Sequence, residues 1–302
     1  MTADAVLLLA YGGPRHPGEI RPFLREVTRG RPIPPERLEA VARHYELVGG
    51  RSPLNEITFR QATAVRAALG GVPVYVGMRL WKPSVAETLA QMALDGVRRA
   101  LAIILAPHAC DASRDRYLEA IDAARATVGP RAPAIAHVRS WHVHPLFVDT
   151  WVAAIATALA TFDTDSRTEA TIVYTAHSIP RASAEQSSYV QEVEATARAV
   201  SARLGLEGWH LAWQSRSGNP RDPWLEPDVA EVLQSLAAQR TRRVVLAPIG
   251  FVCDHVEVLY DLDYEARRHG EGLGLVLARA STPNDHPLFV QMLAELAREH
   301  LA

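Results

Sequence analysis

Residues 244–265 read VVLAPIGFVCDHVEVLYDLDYE, and this stretch decides the fold class. The apolar run at 244–247 leads through Pro248 and Gly250 into a segment whose acidic residues recur every four positions. An apolar run that is bounded by turn residues and followed by a helical period predicts a strand, a turn and a helix. The stretch therefore indicates one strand-to-helix unit of an α/β protein.

The same alternation of strands and helices extends over the whole chain. Strand-like apolar runs separated by helical patterns lie at residues 5–10, 72–78, 101–106, 133–138, 171–176, 209–214, 244–249 and 273–279. Strands that alternate with helices predict parallel sheets that are covered by helices on both faces. We therefore predict an α/β fold.

Internal similarity indicates that one structural unit occurs twice. VLLLAYGGP at 6–14 resembles TIVYTAHSIP at 171–180. RRALAIILAPHACDASRDRY at 98–117 resembles RRVVLAPIGFVCDHVEVLY at 242–260, and in this alignment Arg114 stands opposite Glu257. Two copies of one α/β unit favour two sheets over one closed barrel.

We predict two Rossmann-like lobes, each a four-stranded parallel sheet flanked by helices. The N-terminal lobe should cover residues 1–145 and the C-terminal lobe residues 146–302. Parallel α/β sheets bind ligands at the carboxyl ends of their strands, so we expect a ligand cleft at those ends.

Three acidic residues in the opening stretch form the first candidate site. Glu257, Asp261 and Glu265 are spaced four apart, which places them along one side of a helix, and a local π-type widening would align them further. Like charges at this spacing repel, so a cation or shared protons should offset them. Two structural readings compete: a solvated helix face, and a capping box formed by Asp254 with Glu257.

His177 closes the strand TIVYTA, which predicts a position at the carboxyl edge of its sheet. A histidine there can act as a general base near neutral pH or as a nitrogen ligand to a metal. A strand-end histidine that hydrogen-bonds to the backbone is the structural alternative. A serine hydrolase is disfavoured, because no G-x-S-x-G motif surrounds Ser178.

A zinc site is a further possibility. Its ligands would be His108, Cys110, Cys253 and His255, although no C-x-x-C pair is present. The sequence has only these two cysteines, so a disulfide framework and a four-cysteine iron–sulfur cluster are not expected.

Composition restricts the class of protein. The 302 residues are 48% hydrophobic, enough for two domains with filled cores, and the net charge of -2 with interspersed signs disfavours a nucleic-acid partner. The run at 6–10 is too short for a signal peptide, and no stretch approaches the roughly 20 apolar residues of a membrane span. We expect a cytoplasmic protein without a transmembrane segment, for which peripheral membrane contact remains open.

Several motifs together resemble the ferrochelatase family over nearly the whole chain and in the family's order. They are AYGGP at 10–14, TRGRPIPPERLEAVARHYELVGGRSPLNEIT at 28–58, LAPHACDASRDRY at 105–117, TAHSIP at 175–180, WQSRSGNPRDPWLEPDV at 213–229 and GFVCDHVEVLYDLDYEA at 250–266. The resemblance is closest to the branch that inserts ferrous iron into coproporphyrin III. It implies a two-lobed monomer of the type II chelatase kind.

The resemblance also implies roles for individual residues. It makes His177 the catalytic histidine facing Glu257, with Asp261 and Glu265 completing a line for metal or protons. It places six residues around the porphyrin: Tyr11, Arg29, His44, Tyr45, Ser52 and Tyr117. Thr28, His44 and Leu80 depart from the pattern of some relatives, which have arginine at the first two positions and histidine at the third.

These features predict a metal chelatase of haem biosynthesis, whose substrates are ferrous iron and a porphyrin and which holds no permanent cofactor. Insertion must remove two pyrrole protons, which suits a histidine base, and oxygen ligands can bind Fe(II) loosely enough to release it. A chelatase for protoporphyrin IX or for another divalent metal is the close alternative. A tetrapyrrole carrier without turnover is the alternative outside enzymes.

Overall fold

A computed structural model describes residues 2–30, 33–163, 169–217 and 222–301. The chain divides into two compact units. The first unit comprises residues 1–106, 112–140 and 284–302, and the second comprises 107–111 and 141–283.

The first unit is built on a four-stranded parallel sheet of order β2-β1-β3-β4. Its strands are β1 (Ala5–Ala10), β2 (Val74–Met78), β3 (Arg99–Ile104) and β4 (Ala134–His137). Its α-helices are α1 (Pro17–Val27), α2 (Pro35–Leu47), α3 (Leu54–Ala68), α4 (Val85–Leu94), α5 (Arg116–Val128) and α12 (Pro287–Arg298).

The second unit repeats this order as β6-β5-β7-β8, again all parallel. Its strands are β5 (Thr171–His177), β6 (His210–Gln214), β7 (Arg243–Ala247) and β8 (Val276–Arg279). Its α-helices are α6 (Pro145–Leu159), α7 (Arg181–Glu185), α8 (Tyr189–Leu204), α9 (Val229–Ala238), α10 (Val256–Val258) and α11 (Arg267–Gly272). The predicted α/β class, the eight strands and the two similar sheets are confirmed.

The strands carry unbroken apolar runs because helices cover both faces of each sheet. Every residue of β1 is buried. In the second unit, Val173, Val244 and Leu246 form a core with residues of α9. Among the described helices, none has the length and the apolar character needed to cross a bilayer.

The two units do not follow the predicted boundary after residue 145. The C-terminal helix α12 belongs to the first unit, where Arg60 of α3 pairs with Asp285 at 2.8 Å and Arg298 donates to the carbonyl of Ala68 at 2.8 Å. Residues 107–111 belong to the second unit, where Ala109 N–H donates to Glu192 at 2.8 Å. Local sequence patterns predict a helix but not the sheet on which it packs.

The acidic stretch forms a π-helix over Leu259–Ala266, which directly follows α10 and is continued by α11. We call Leu259–Ala266 the π segment. Val258, Leu262 and Ala266 are buried, and Leu262 and Ala266 pack into the core of the sheet. Burying a side chain such as Leu262 contributes about 1.5–3 kcal/mol. This apolar stripe is offset by one residue from the acidic one, so packing of one stripe orients the other.

Arg279, at the end of β8, fixes the far side of the π segment. Its guanidinium pairs with Asp263 at 2.7 Å and with Asp254 at 3.2 Å, and Thr282 also donates to Asp254. The side chains of Arg279 and Asp254 are 14% and 20% exposed. Removing a largely buried cation leaves the charge of its carboxylate partners uncompensated.

We expect Arg279→Met to lower the free energy of unfolding by about 3–5 kcal/mol, because two partly buried carboxylates lose their partner. Arg203→Met is the matched control: Arg203 pairs with Asp149 at 3.1 Å but is 55% exposed, and its loss should change stability by at most about 1 kcal/mol. Urea denaturation followed by circular dichroism measures both. Equal losses in the two variants would contradict this role for Arg279.

Candidate active site

His177 is the last residue of β5, in register with Gln214 at the end of β6. Its Nδ1–H donates to the carbonyl oxygen of Ser178, because a carbonyl can only accept. In the neutral ring, Nε2 therefore carries the lone pair. The predicted position at the carboxyl edge of the sheet is observed, and the backbone hydrogen bond of the structural alternative is also present and fixes the tautomer.

The lone pair faces a carboxylate. Nε2 of His177 lies 3.6 Å from Oε1 of Glu257, and the two side chains are 28% and 39% exposed. Burial is the largest single influence on each group and disfavours both charged forms, but the attraction and hydrogen bond between the two side chains, together with neighbouring groups, outweigh it. The net result is a pKa of His177 above its ordinary value and a pKa of Glu257 below its ordinary value.

Asp261 lies in the π segment, four residues after Glu257, and its pKa shifts in the opposite direction from that of Glu257. Burial raises the pKa of Asp261 to about 7, opposed by a hydrogen bond from the Ser215 hydroxyl and aided by the charges of Glu257 and Glu265. Glu265 is exposed. The stripe thus runs from solvent at Glu265 to His177 through a carboxyl group that can hold a proton near neutral pH.

Two structural alternatives for these acids do not hold. The helix that begins at Val256 is capped by His255, whose Nδ1 accepts from Glu257 N–H at 3.2 Å, whereas Asp254 pairs with Arg279. A capping box of Asp254 and Glu257 is therefore wrong. A purely solvated face is also wrong, because Asp261 is largely withdrawn from water.

Neighbouring groups hold His177 in place. Tyr189 OH donates to its main-chain carbonyl at 2.9 Å, and Ser178 N–H donates to the carbonyl of Gln214 at 2.7 Å. Gly250 permits close approach of the loop after β7, since a Cβ there would lie 2.8 Å from the Cα of Ala176. A larger residue at position 250 would displace the strand end that carries the imidazole.

The zinc site considered from sequence does not form. In the described ranges, no group of three or more histidine, cysteine, aspartate or glutamate side chains is arranged to hold a metal. His108 is instead buried, with Nε2 2.9 Å from Thr196 Oγ1, and burial lowers its pKa to about 3. Cys253 is also buried, which raises the pKa of its thiol.

The first unit brings several of the predicted porphyrin residues together. Phe23 makes edge contacts with Tyr11 and Tyr45, at ring-centroid distances of 6.4 and 6.2 Å. The guanidinium of Arg79 lies over the rings of both Tyr11 and Tyr117, 4.9 and 5.1 Å from their centroids. Of these three tyrosines only Tyr11, 37% exposed, presents its ring to solvent; Tyr45 and Tyr117 are core residues.

The other three predicted porphyrin residues differ in burial and in position. Ser52 is buried and close to Gly13, at which a Cβ would come within 2.6 Å of the Ser52 Cβ. His44 lies in the last turn of α2, and burial lowers its pKa. Arg29 follows α1, is 77% exposed and pairs with Glu26. The neighbouring Arg31 lies outside the described residues.

Sequence reasoning missed three residues beside these groups. Arg79 directly follows β2, and the strand-end argument that found His177 would also have found it. Gln214 is the last residue of β6 and Ser215 follows it, both within the quoted WQSRSG motif. Gln214 donates to the carbonyl of Glu257 at 2.7 Å. No spacing rule indicates that these two side chains reach the acidic segment.

The arrangement joins a base of fixed tautomer to carboxylates of different proton affinity. Nε2 of His177 can accept a proton, Glu257 can stabilise the resulting imidazolium, and Asp261 can exchange a proton near neutral pH. Imidazole nitrogen and carboxylate oxygen are also ligands for divalent metals. The site can therefore exchange protons and a metal ion at the same place.

Comparison with known proteins identifies the family of the chain. The ferrochelatase family model matches residues 3–301. The chain is 46% identical over 302 residues to the coproporphyrin III ferrochelatase of Mycobacterium marinum, covering 99% of this chain and 87% of the relative. It is 42% identical over 313 residues to that of Nocardia farcinica, covering 100% and 89%.

Solved structures share the fold at low identity. The SirB structure from Bacillus subtilis with Fe3+ matches with a TM-score of 0.63 at 11% identity, covering 100% of this chain and 96% of SirB. CbiX, the terminal enzyme of siroheme biosynthesis in denitrifying bacteria, matches with a TM-score of 0.59 at 14% identity, covering 99% of this chain and 100% of CbiX. The predicted type II chelatase architecture is confirmed, and the family match over nearly the full length shows that the chain belongs to the ferrochelatase family.

Proposed function

We propose that this protein inserts ferrous iron into coproporphyrin III to form Fe-coproporphyrin, also called coproheme. The observation that carries the proposal is the 3.6 Å approach of His177 Nε2 to Glu257 Oε1 at the head of an acidic stripe. The substrate is supported by relatives at 42–46% identity that are coproporphyrin III ferrochelatases.

The reaction exchanges two protons for one cation. The free porphyrin carries two pyrrole N–H groups, and both N–H bonds must break as four nitrogen lone pairs bind Fe(II). His177 accepts a pyrrole proton at Nε2, while its Nδ1–H remains bonded to the Ser178 carbonyl. Glu257 stabilises the imidazolium, and Asp261, with a pKa raised to about 7, can take up a proton in turn.

The carboxylates suit a metal that passes through the site as a substrate. Oxygen ligands hold Fe(II) less tightly than thiolates or a preformed cage of histidines would. Among the described residues, no three ligating side chains converge into a preformed cage. We propose that Glu265, Asp261 and Glu257 successively replace water on the incoming iron. His177 Nε2 is its last ligand on the protein and accepts a pyrrole proton only after the iron has moved to the porphyrin, because Nε2 has a single lone pair.

The porphyrin contacts are a separate part of the proposal. Tyr11 is partly exposed, whereas Tyr45 and Tyr117 are buried. Ser52, His44 and Arg29 complete the proposed set. Monomeric state, cytoplasmic location and the absence of a nucleic-acid partner stay predictions from the sequence.

Two alternatives to the proposed function are a chelatase with a different substrate and a carrier that is not an enzyme. A protoporphyrin IX chelatase, or one for Zn(II) or Co(II), would use the same base and acids, and the ligand set does not select iron among these metals. A competition assay with coproporphyrin III and protoporphyrin IX at limiting enzyme distinguishes a protoporphyrin IX chelatase from the proposed enzyme. A carrier without turnover is disfavoured, because binding alone needs no base of fixed tautomer beside a metal ligand.

We expect the purified protein, given Fe(II) and coproporphyrin III without oxygen, to form the metalloporphyrin spectrum. His177→Ala should reduce the rate at least about 100-fold, because a positioned base contributes this much. His210→Ala is the control: His210 begins β6 at the opposite end of the same sheet, and its variant should keep wild-type activity. Failure of the wild type with both porphyrins would defeat the enzyme proposal.

The pH dependence of kcat/KM should report the His177–Glu257 pair. Protonated His177 cannot accept a proton, so activity should fall as pH decreases through its raised pKa, above the ordinary value of about 6.5. Glu257→Gln removes the charge that raises this pKa and should move the acid limb to lower pH. Glu265→Gln, which does not face His177, should leave the limb in place. An unmoved limb in Glu257→Gln would exclude His177 as the titrating base.

A further inference from the structure

Ser215 has a backbone conformation that is unusual for a residue other than glycine. Its φ is +61°, and only Arg240 and Asn284 share a positive φ among the described non-glycine residues. Such a conformation is typically unfavourable by about 1–3 kcal/mol and persists where the surroundings enforce it. Glycine would adopt it without strain, so the serine side chain needs an explanation.

The left-handed turn places two consecutive side chains on one side. Successive residues of a strand point to opposite faces, so Gln214 and Ser215 in a continued β6 would diverge. Instead, Gln214 Nε2 lies 3.4 Å from Ser215 Oγ. The break in alternation therefore lets both residues approach the same neighbouring segment.

Both side chains bind the acidic segment. Gln214 donates from Nε2 to the main-chain carbonyl of Glu257 at 2.7 Å, while its Oε1 accepts from Thr175 Oγ1 at 2.7 Å. Ser215 donates its hydroxyl to Oδ2 of Asp261. Strand β5 is thereby connected through Gln214 to the backbone of Glu257, and Ser215 fixes the side chain one step further along.

The hydrogen bond leaves the two oxygens of Asp261 inequivalent. Oδ2 accepts from Ser215, whereas Oδ1 accepts no hydrogen bond from any residue in the described ranges. A carboxylate held by one oxygen can offer the other to a cation in a fixed direction. Groups that orient a metal ligand in this way usually change metal affinity or activity 10–100-fold when removed.

We infer that Ser215 is a positioning residue for iron: its hydroxyl holds Asp261 so that Oδ1 is presented to the incoming Fe(II). The strained backbone at Ser215 is the consequence of bringing that hydroxyl beside Gln214 onto the acidic segment. This inference rests on the proposed function only in its use of Fe(II) as the metal. It assigns Ser215 no contact with the porphyrin.

The test compares Ser215→Gly and Ser215→Ala with Arg240→Gly. Glycine at 215 relieves the positive φ and removes the Cβ with its hydroxyl, whereas alanine removes the hydroxyl alone, so the unfolding temperature of Ser215→Gly should be no lower than that of Ser215→Ala. Arg240 is exposed, follows α9 and has a φ of +64°, so Arg240→Gly makes the same backbone change away from the acids.

In the insertion assay, both Ser215 variants should raise the KM for Fe(II) about 10-fold or more, with kcat and the KM for coproporphyrin III within about twofold of wild type. Arg240→Gly should change none of these constants. Titration calorimetry with Co(II) and no porphyrin should show the same weakening for Ser215→Gly and Ser215→Ala.

An unchanged KM for Fe(II), or a rise in the porphyrin KM instead, would overturn the inference. If the wild type binds Co(II) but inserts no iron, the proposed function fails. The Co(II) affinities of the variants then still decide the role of Ser215: a weakening supports it, and unchanged affinity contradicts it.

Discussion

The geometry of the site depends on one hydrogen bond, which fixes the tautomer of His177. Because the Nδ1–H of His177 is committed to the Ser178 carbonyl, the proton-accepting nitrogen of the neutral ring is Nε2, which faces Glu257 at 3.6 Å. Without that constraint the imidazole could take either tautomer, and a base directed at a substrate would be present only part of the time. The end of a parallel strand suits this role, since a rigid sheet supplies the position and the following residues supply the orienting groups.

Helix α10 and the π segment that follows it keep three acids in line, with Glu257 in α10 and Asp261 and Glu265 in the π segment. Like charges four residues apart repel one another. Leu262 and Ala266 anchor the adjacent apolar stripe in the core, Arg279 neutralises Asp263 on the far side, and Ser215 holds Asp261. With the pKa of Asp261 raised to about 7, a proton can relieve part of the repulsion until a cation replaces it. Protons and metal then compete for the same carboxylate oxygens.

Much of this arrangement follows from local sequence patterns. Unbroken apolar runs predicted the eight strands, and the end of one run placed His177 at the sheet edge. The four-residue spacing of Glu257, Asp261 and Glu265 predicted one acidic stripe. These features are readable because each depends on residues close together in the chain.

Features that depend on distant contacts were not readable. The return of α12 to the first unit rests on pairs such as Arg60 with Asp285, which no local pattern indicates. The positive φ of Ser215 is set by its partners and not by its own type, since serine ordinarily avoids it. The burial of Tyr45 and Tyr117 was also not readable, because an aromatic side chain serves equally well in a core or against a ligand.

A double-mutant cycle on the insertion rate most directly tests whether His177 and Glu257 act as one unit. Groups that act together lose function together, so the His177→Ala/Glu257→Gln double variant should be about as slow as His177→Ala alone. Losses that multiply, so that the double variant is slower by the product of the two single factors, would mean that the two side chains contribute independently. That result would contradict the pairing on which the proposed mechanism is built.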